Sequence, residues 1–191
     1  MDLTTVERVK RRLGIESDDQ DDVIGRLISS ISRQFEIVAD RYALIDDRTV
    51  IHDVEHAGQR RFYLRGYPVV EITSVHYSPV RTFDPTTLLA STYYAVRGPW
   101  LTILDTDMEE SIQSLQVVYN GGMAEDTDAF WAAFPDVADA VDVQAAFLRK
   151  RDANLGVASV SDPSGSANFQ QTIELLPYVR QTFESYRYDT A

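Results

Sequence analysis

Between residues 21 and 40 the apolar side chains fall at Val23, Ile24, Leu27, Ile28, Ile31, Phe35 and Val38. Steps of three and four residues gather them on one stripe of an α-helix, and no other segment of the chain is as regular. A stripe that long has to be covered, so the fold must supply other helices or a sheet to pack on it. A shorter helix precedes it. Thr4 and Glu7 have the spacing of a capping box ahead of Val6, Val9 and Leu13, and Gly14 stands where a helix ends. The acidic run at residues 17–22 joins the two into a helical hairpin. It has neither the alternating ligands nor the glycine of an EF-hand loop, so N-terminal capping and the helix dipole account for it better than calcium does.

The middle of the chain changes period. Residues 49–54, 61–64, 69–77, 93–96, 100–104 and 115–119 are short β-rich runs separated by turn residues, among them Gly66-Tyr67-Pro68, Arg97-Gly98-Pro99 and Asn120-Gly121-Gly122. Residues 79–85, bounded by prolines, read as a loop. Such spacing predicts a small antiparallel sheet or barrel. Helical signals then return. Over residues 135–150, Val137, Ala140, Val141, Ala145 and Leu148 form one stripe, while Val143 and Phe147 form a second. A helix apolar on two sides is buried on both, or packs on its own bundle and on a neighbouring subunit. A Gly/Ser-rich loop is expected over 157–168. A last helix starts at Pro177, with Val179, Phe183 and Tyr186 on one stripe and Arg180 and Arg187 beside it. The expectation is an α+β fold: N- and C-terminal helices (1–47 and 132–191) form one bundle, and a small antiparallel β-module (48–131) is inserted between them.

Charge is unevenly placed. The net charge is -12, which argues against a general DNA-binding surface, and residues 98–148 contain no Lys or Arg. That stretch holds Asp105, Asp107, Glu109 and Glu110, then Glu125, Asp126 and Asp128, then Asp136, Asp139 and Asp142. A solvated acidic face accounts for it, as does a surface that DNA passes without sticking or one that meets a basic partner. There is no cysteine, hence no disulfide framework, thiolate nucleophile or Cys-based zinc site. The apolar runs are far shorter than a membrane span, and the opening Met1-Asp2-Leu3-Thr4-Thr5 has no signal-peptide pattern, so no membrane partner and a cytoplasmic origin are expected.

Catalytic chemistry is hard to find. His52 and His56 are four residues apart, about 13 Å along a strand, too far to share a metal. His76 is isolated. The group Asp105, Asp107, Glu109 and Glu110 could bind a hard cation but matches no specific loop. No Walker A motif, dinucleotide fingerprint or Gly-x-Ser-x-Gly elbow is present. No catalytic residue, metal or cofactor is therefore expected.

Three places in the chain resemble the head–tail connector (adaptor, head-completion) proteins of tailed bacteriophages. Leu3 to Lys10 with Leu13-Gly14-Ile15 and residues 21–40 look like the first two helices of that family. Leu64-Arg65-Gly66-Tyr67-Pro68-Val69-Val70 with Ile72-Thr73-Ser74-Val75 resembles its R-x-YPV-x-x-ITSV strand pair. Val117-Val118-Tyr119-Asn120-Gly121-Gly122, the helix over 135–150, the loop at 159–165 and Leu176-Pro177-Tyr178-Val179 onward resemble its C-terminal half. The acidic, aromatic segment 125–134 departs from the pattern. The order of the matches, spanning nearly the whole chain, carries the resemblance.

The resemblance implies a structural, non-enzymatic virion protein of the neck, assembled in the host cytoplasm. It implies a homo-oligomeric ring, twelve-fold like the portal, that extends the DNA channel and meets the portal on one side and the next connector or the tail on the other. DNA would pass without sequence-specific binding. The expected portal or subunit contacts are Tyr178, Val179, Arg180, Phe183, Tyr186 and Arg187, with the segment 152–172 ordering on docking. The candidate channel lining is Asp105, Asp107, Glu109, Glu110, Asp136, Asp139 and Asp142, at least one of which should face the bore. The alternative from another class is a β-rich virion or surface module that binds carbohydrate or protein. An acidic metal-dependent hydrolase is a distant third.

Overall fold

The structure, a computed structural model, describes residues 2–152, 159–162, 165–168 and 175–188. The chain divides into two compact units: Met1–Ala39 with Trp131–Ala191, and Asp40–Phe130. The fold class is α+β, a bundle of N- and C-terminal helices with strands between them.

In the helical unit, α1 (Val6–Leu13), α2 (Asp21–Val38), α4 (Pro135–Asp152) and α5 (Pro177–Glu184) pack on one another. The stripe of α2 does what its period requires: Ile24, Ile28, Ile31 and Phe35 are buried, and its margins, Val23, Leu27 and Val38, reach solvent. α4 answers with Val137, Ala140, Val141, Ala145 and Leu148, where the alanines let neighbouring helices approach closely. Its second stripe is not covered. Phe147 is 42% exposed and Val143 half-buried. α1 ends on Gly14 at φ 69°, with the amides of Gly14 and Ile15 donating to the carbonyls of Arg11 and Lys10. That is the left-handed helix stop glycine favours.

Two local expectations are corrected. Thr4 does not cap α1: its hydroxyl donates to the Asp142 carboxylate on α4 instead, and the N-cap residue, Thr5, makes no side-chain capping bond. A partner 138 residues away outcompetes the local one, because it satisfies a buried carboxylate. The acidic run before α2 also caps nothing through a side chain. Asp18 and Asp21 hold the ammonium of Lys10 at 2.6 and 2.9 Å, and the Asp18 hydrogen bond, with Asp21 behind it, raises the Lys10 pKa.

The β-unit holds two three-stranded antiparallel sheets. In the first, β6 (Ser111–Gly121) lies between β1 (Asp46–Val54) and β3 (Val69–Tyr77). In the second, β5 (Trp100–Ile103) lies between β2 (Arg61–Tyr63) and β4 (Tyr94–Arg97). Their shared core is Val54, Phe62, Leu64, Val75, Leu101, Ile103, Met108, Leu115, Val117 and Tyr119. The Gly121-Gly122 pair is a packing requirement. A Cβ on Gly121 would strike the carbonyl oxygen of Gly66, and one on Gly122 that of Leu44; neither backbone atom can swing aside.

Within segment 125–134, which departs from the family pattern, lies a short helix: α3 (Thr127–Ala133) starts where the Asp126 carboxylate accepts the Ala129 amide at 2.8 Å. The Gly/Ser-rich segment expected as a loop contains a β-hairpin, β7 (Ser159–Asp162) with β8 (Gly165–Asn168) in register from Ser159↔Asn168 to Asp162↔Gly165. Residues 157, 158, 163 and 164 of that expected loop, and 153–158 and 169–172 of the expected docking segment, lie outside the described residues. Among the described residues no helix is long and apolar enough to cross a membrane.

Candidate docking and channel surfaces

α5 begins at Pro177, whose missing amide proton is no loss at a first helical position. The turn before it is tied down by the side chain of Gln144, which accepts the Leu176 amide at 2.9 Å. The helix then divides its residues sharply between two faces. Val179 and Phe183 are fully buried, and the Phe183 ring meets Phe35 edge-on at 5.3 Å. Tyr186 packs edge-on against Phe35 and Phe134, and its hydroxyl donates to Asp136 at 2.8 Å. These apolar positions, expected to meet a partner, are consumed by the chain's own bundle, because an eight-residue helix has no other means of staying folded. Tyr178, 51% exposed, with the exposed Arg180 and Arg187, is what remains on the outside. An exposed tyrosine and exposed arginines are the residue types of an interface anchor.

The seven candidate lining carboxylates also separate. Asp105, Asp107, Glu109 and Glu110 are all exposed on the turn from β5 to β6, and none makes an ion pair among the described residues. Asp136 receives the Tyr186 hydroxyl and Asp139 pairs with Arg12. Asp142 is a correction: it is only 3% exposed, bound by Thr4 and, at 3.4 Å, by Nε of Arg8, and so it cannot line a bore. Burial raises its pKa, against the pull of Thr4 and Arg8.

The sequence reading missed the basic counterpart of this acidity. α1 carries Arg8, Lys10, Arg11 and Arg12. Arg8 and Arg12, four residues apart and so on one face, reach the α4 carboxylates, and the Arg8 guanidinium lies 3.9 Å over the Trp131 ring. The i, i+4 spacing of Arg8 and Arg12 was the available signal. A cavity of about 510 Å³ opens beside them, lined by Arg8, Arg11, Arg12, Trp131 and Asp142.

The histidines are dispersed. His52 is on β1, His56 lies in the turn after it, and His76 Nδ1 is 3.2 Å from the Thr87 hydroxyl. Among the described residues no three His, Asp or Glu side chains are grouped to hold a metal.

No protein-family model matches the chain, and no curated protein matches it. Its fold does match solved structures. A chain in the neck of an empty gene transfer agent (GTA) particle, computed with C6 symmetry, aligns with a TM-score of 0.63 at 14% identity, over 97% of this chain and 90% of that one. A chain in the virion of the native GTA particle gives 0.64 at 13% identity over the same shares. A chain in the neck of the native particle, computed with C12 symmetry, gives 0.59 at 13% identity over 100% and 96%. The chain is therefore similar in fold, from end to end, to chains of phage-like particle necks and virions, in agreement with the head–tail connector resemblance carried by its helices, residues 64–75 and residues 117–122.

Proposed function

We propose that this protein is a structural virion protein of the neck, a head-to-tail adaptor that forms a ring under the portal, extends the DNA channel and joins the head to the tail or to the next connector. The observation that carries this reading is the end-to-end fold likeness to chains in GTA necks. The C12 symmetry of one such neck supports a twelve-fold ring. Assembly takes place in the host cytoplasm. In this reading Tyr178 and Arg180, on the two flanks of α5, and Arg187 just beyond its end are the docking residues, and the uncovered Phe147 on α4 faces a neighbouring subunit. The β5–β6 turn, with its unpaired Asp105, Asp107, Glu109 and Glu110, faces the channel. An acidic wall repels phosphate, whereas each basic contact would release counterions and hold the DNA.

The test is a particle assembled with Tyr178→Asp and Arg180→Glu. Both residues are exposed, so the monomer should keep its fold while heads remain incomplete and tailless in electron micrographs. Normal particles from this variant would refute the docking role. An image placing the chain away from the head–tail junction would refute the function itself.

A further inference from the structure

β1 alternates cleanly. Asp47, Thr49, Ile51 and Asp53 are exposed, while Arg48, Val50, His52 and Val54 are the half-buried or buried positions. Two of the four covered positions are therefore basic, where an apolar residue would serve the core better. Neither is fully paired. Arg48 gives one nitrogen, Nη2, to the carbonyl of Leu44 at 3.0 Å, and its Nε is buried with no acceptor. His52 Nε2 is also buried without a partner. Unmet buried polar atoms of this kind are uncommon and call for a reason.

The reason lies in the cavity beside them. A cleft of about 310 Å³ is walled by Arg48 and His52 from β1, Tyr119 from β6, Tyr63 from β2, and Tyr42 and Arg65 from flanking segments. The guanidinium of Arg48 is 3.7 Å over the Tyr42 ring and that of Arg65 is 5.0 Å from the same ring, so both planes are held by stacking as well as by hydrogen bonds. Arg65 is steadied further by Asp40 at 2.8 Å. The Tyr119 oxygen accepts the Gly66 amide at 3.1 Å, which fixes its position beside the cleft. No carboxylate is among the lining residues, although the chain as a whole carries a net charge of -12.

We propose that this cleft is an oxyanion-binding site, which takes one carboxylate or phosphate group on a small body, gripped by Arg48 and His52 with the Tyr119 hydroxyl as a further donor. The volume is at the small end of ligand sites, enough for one such group and not for a run of nucleic-acid backbone. The fork of a stacked guanidinium matches the two oxygens of either anion. The same chemistry has two sources: a free phosphate-type ion, or an acidic side chain offered by another protein chain. The proposal does not depend on the neck reading.

His52 provides a direct readout. Burial pushes its imidazole below the ordinary range, with Asp53 next to it pulling the other way. The other charged or titratable groups around the cleft are Arg48, Arg65, Tyr42, Tyr63, Tyr119 and Asp40. An anion seated in the cleft beside the His52 ring raises the His52 pKa, an effect that a histidine remote from the anion would not show. The full chain is titrated in NMR with sodium phosphate, and separately with N-acetyl-aspartate amide, while the His52 ring signals are followed. The expected result is a saturable shift and an upward move of the His52 pKa. Arg48→Met should weaken the response about tenfold or more, the loss of one charged hydrogen-bonding pair. Arg97→Met, an exposed arginine on β4, should leave it unchanged. Should Arg48→Met unfold, Arg48→Lys keeps the charge without the fork and should still weaken binding several-fold. Tighter phosphate binding identifies the free ion as the source, and tighter binding of the capped aspartate identifies an acidic side chain. No saturable His52 response to either probe, or one unaltered in the folded Arg48 variant, overturns the proposal.

Discussion

Replacing Phe183 by alanine tests whether α5 belongs to the bundle or merely lies on it. Phe183 is fully buried and its ring meets Phe35 edge-on at 5.3 Å and 82°. Removing a buried phenylalanine costs about 3–5 kcal/mol, of which the aromatic pairing supplies about 0.5–1.5 kcal/mol. With a urea slope of about 2 kcal/mol per molar, the unfolding midpoint of the helical unit should fall by roughly 1.5–2.5 M. The two tryptophans make the measurement clean, because Trp131 belongs to the helical unit and Trp100 to the β-unit. In a Trp100→Phe background, the emission of Trp131 reports the helices alone. A double-mutant cycle with Phe35→Leu and Phe183→Leu should return a coupling of about 0.5–1.5 kcal/mol. A midpoint that moves by less than about 0.5 M, with helical circular dichroism lost only over one short segment, would mean that α5 detaches alone and contributes nothing to the core, contrary to the reasoning.

Three further outcomes follow from the packing. Ile31→Ala should destabilise the helical unit by about 2–5 kcal/mol and Leu27→Ala by distinctly less, since Ile31 is buried and Leu27 only half so; equal losses in the same urea assay would contradict that burial. Gly121→Ala should leave the β-unit unfolded or expressed in aggregates, because the new methyl meets the backbone of Gly66 and Pro68; a soluble variant with native Trp100 emission would count against the packing. Asp142→Asn should change how stability varies with pH. The folded-state pKa of Asp142 is raised, so the native state holds its proton longer and stability falls as pH rises from about 4 through the raised value; the asparagine variant, compared with the parent by urea melts at several pH values, should lack that fall, and two parallel profiles would refute the assignment.

What the sequence disclosed depended on the range of the interaction. The α2 stripe and the six strand-rich runs are local patterns, and each reappears as an element within a few residues of its expected ends. Thr4 shows the opposite case. Its capping-box spacing with Glu7 is a local signal, but the hydroxyl is taken by Asp142, a partner no window along the chain can reveal. The same contact removes Asp142 from the surface, where its charge alone would have put it. The paired strands at 159–162 and 165–168 were not legible, because a run of mostly small and polar residues offers no sustained apolar alternation. His52 was judged against a metal partner and set aside. The stronger signal was its two-residue step from Val50 and four-residue step from Arg48, which puts both basic groups on the covered face of one strand.

The β-unit closes at its own base. The Ile45 amide donates to the Ala124 carbonyl at 2.7 Å, the Met123 amide to that of Ala43 at 3.1 Å, and Leu44 and Ala124 bridge side by side. The chain therefore enters and leaves this unit at nearly the same point. For the helices, the order of folding events then matters. α2 must wait for α4 to be made, and if the roughly ninety intervening residues were still a random coil, joining the two would close a long loop. Once the strands have paired, the flexible path shrinks to about a dozen residues, which lowers the entropic barrier to joining by about 2 kcal/mol. A strand unit that folds first acts as a clasp, bringing the two halves of the bundle within reach before they have formed any contact of their own.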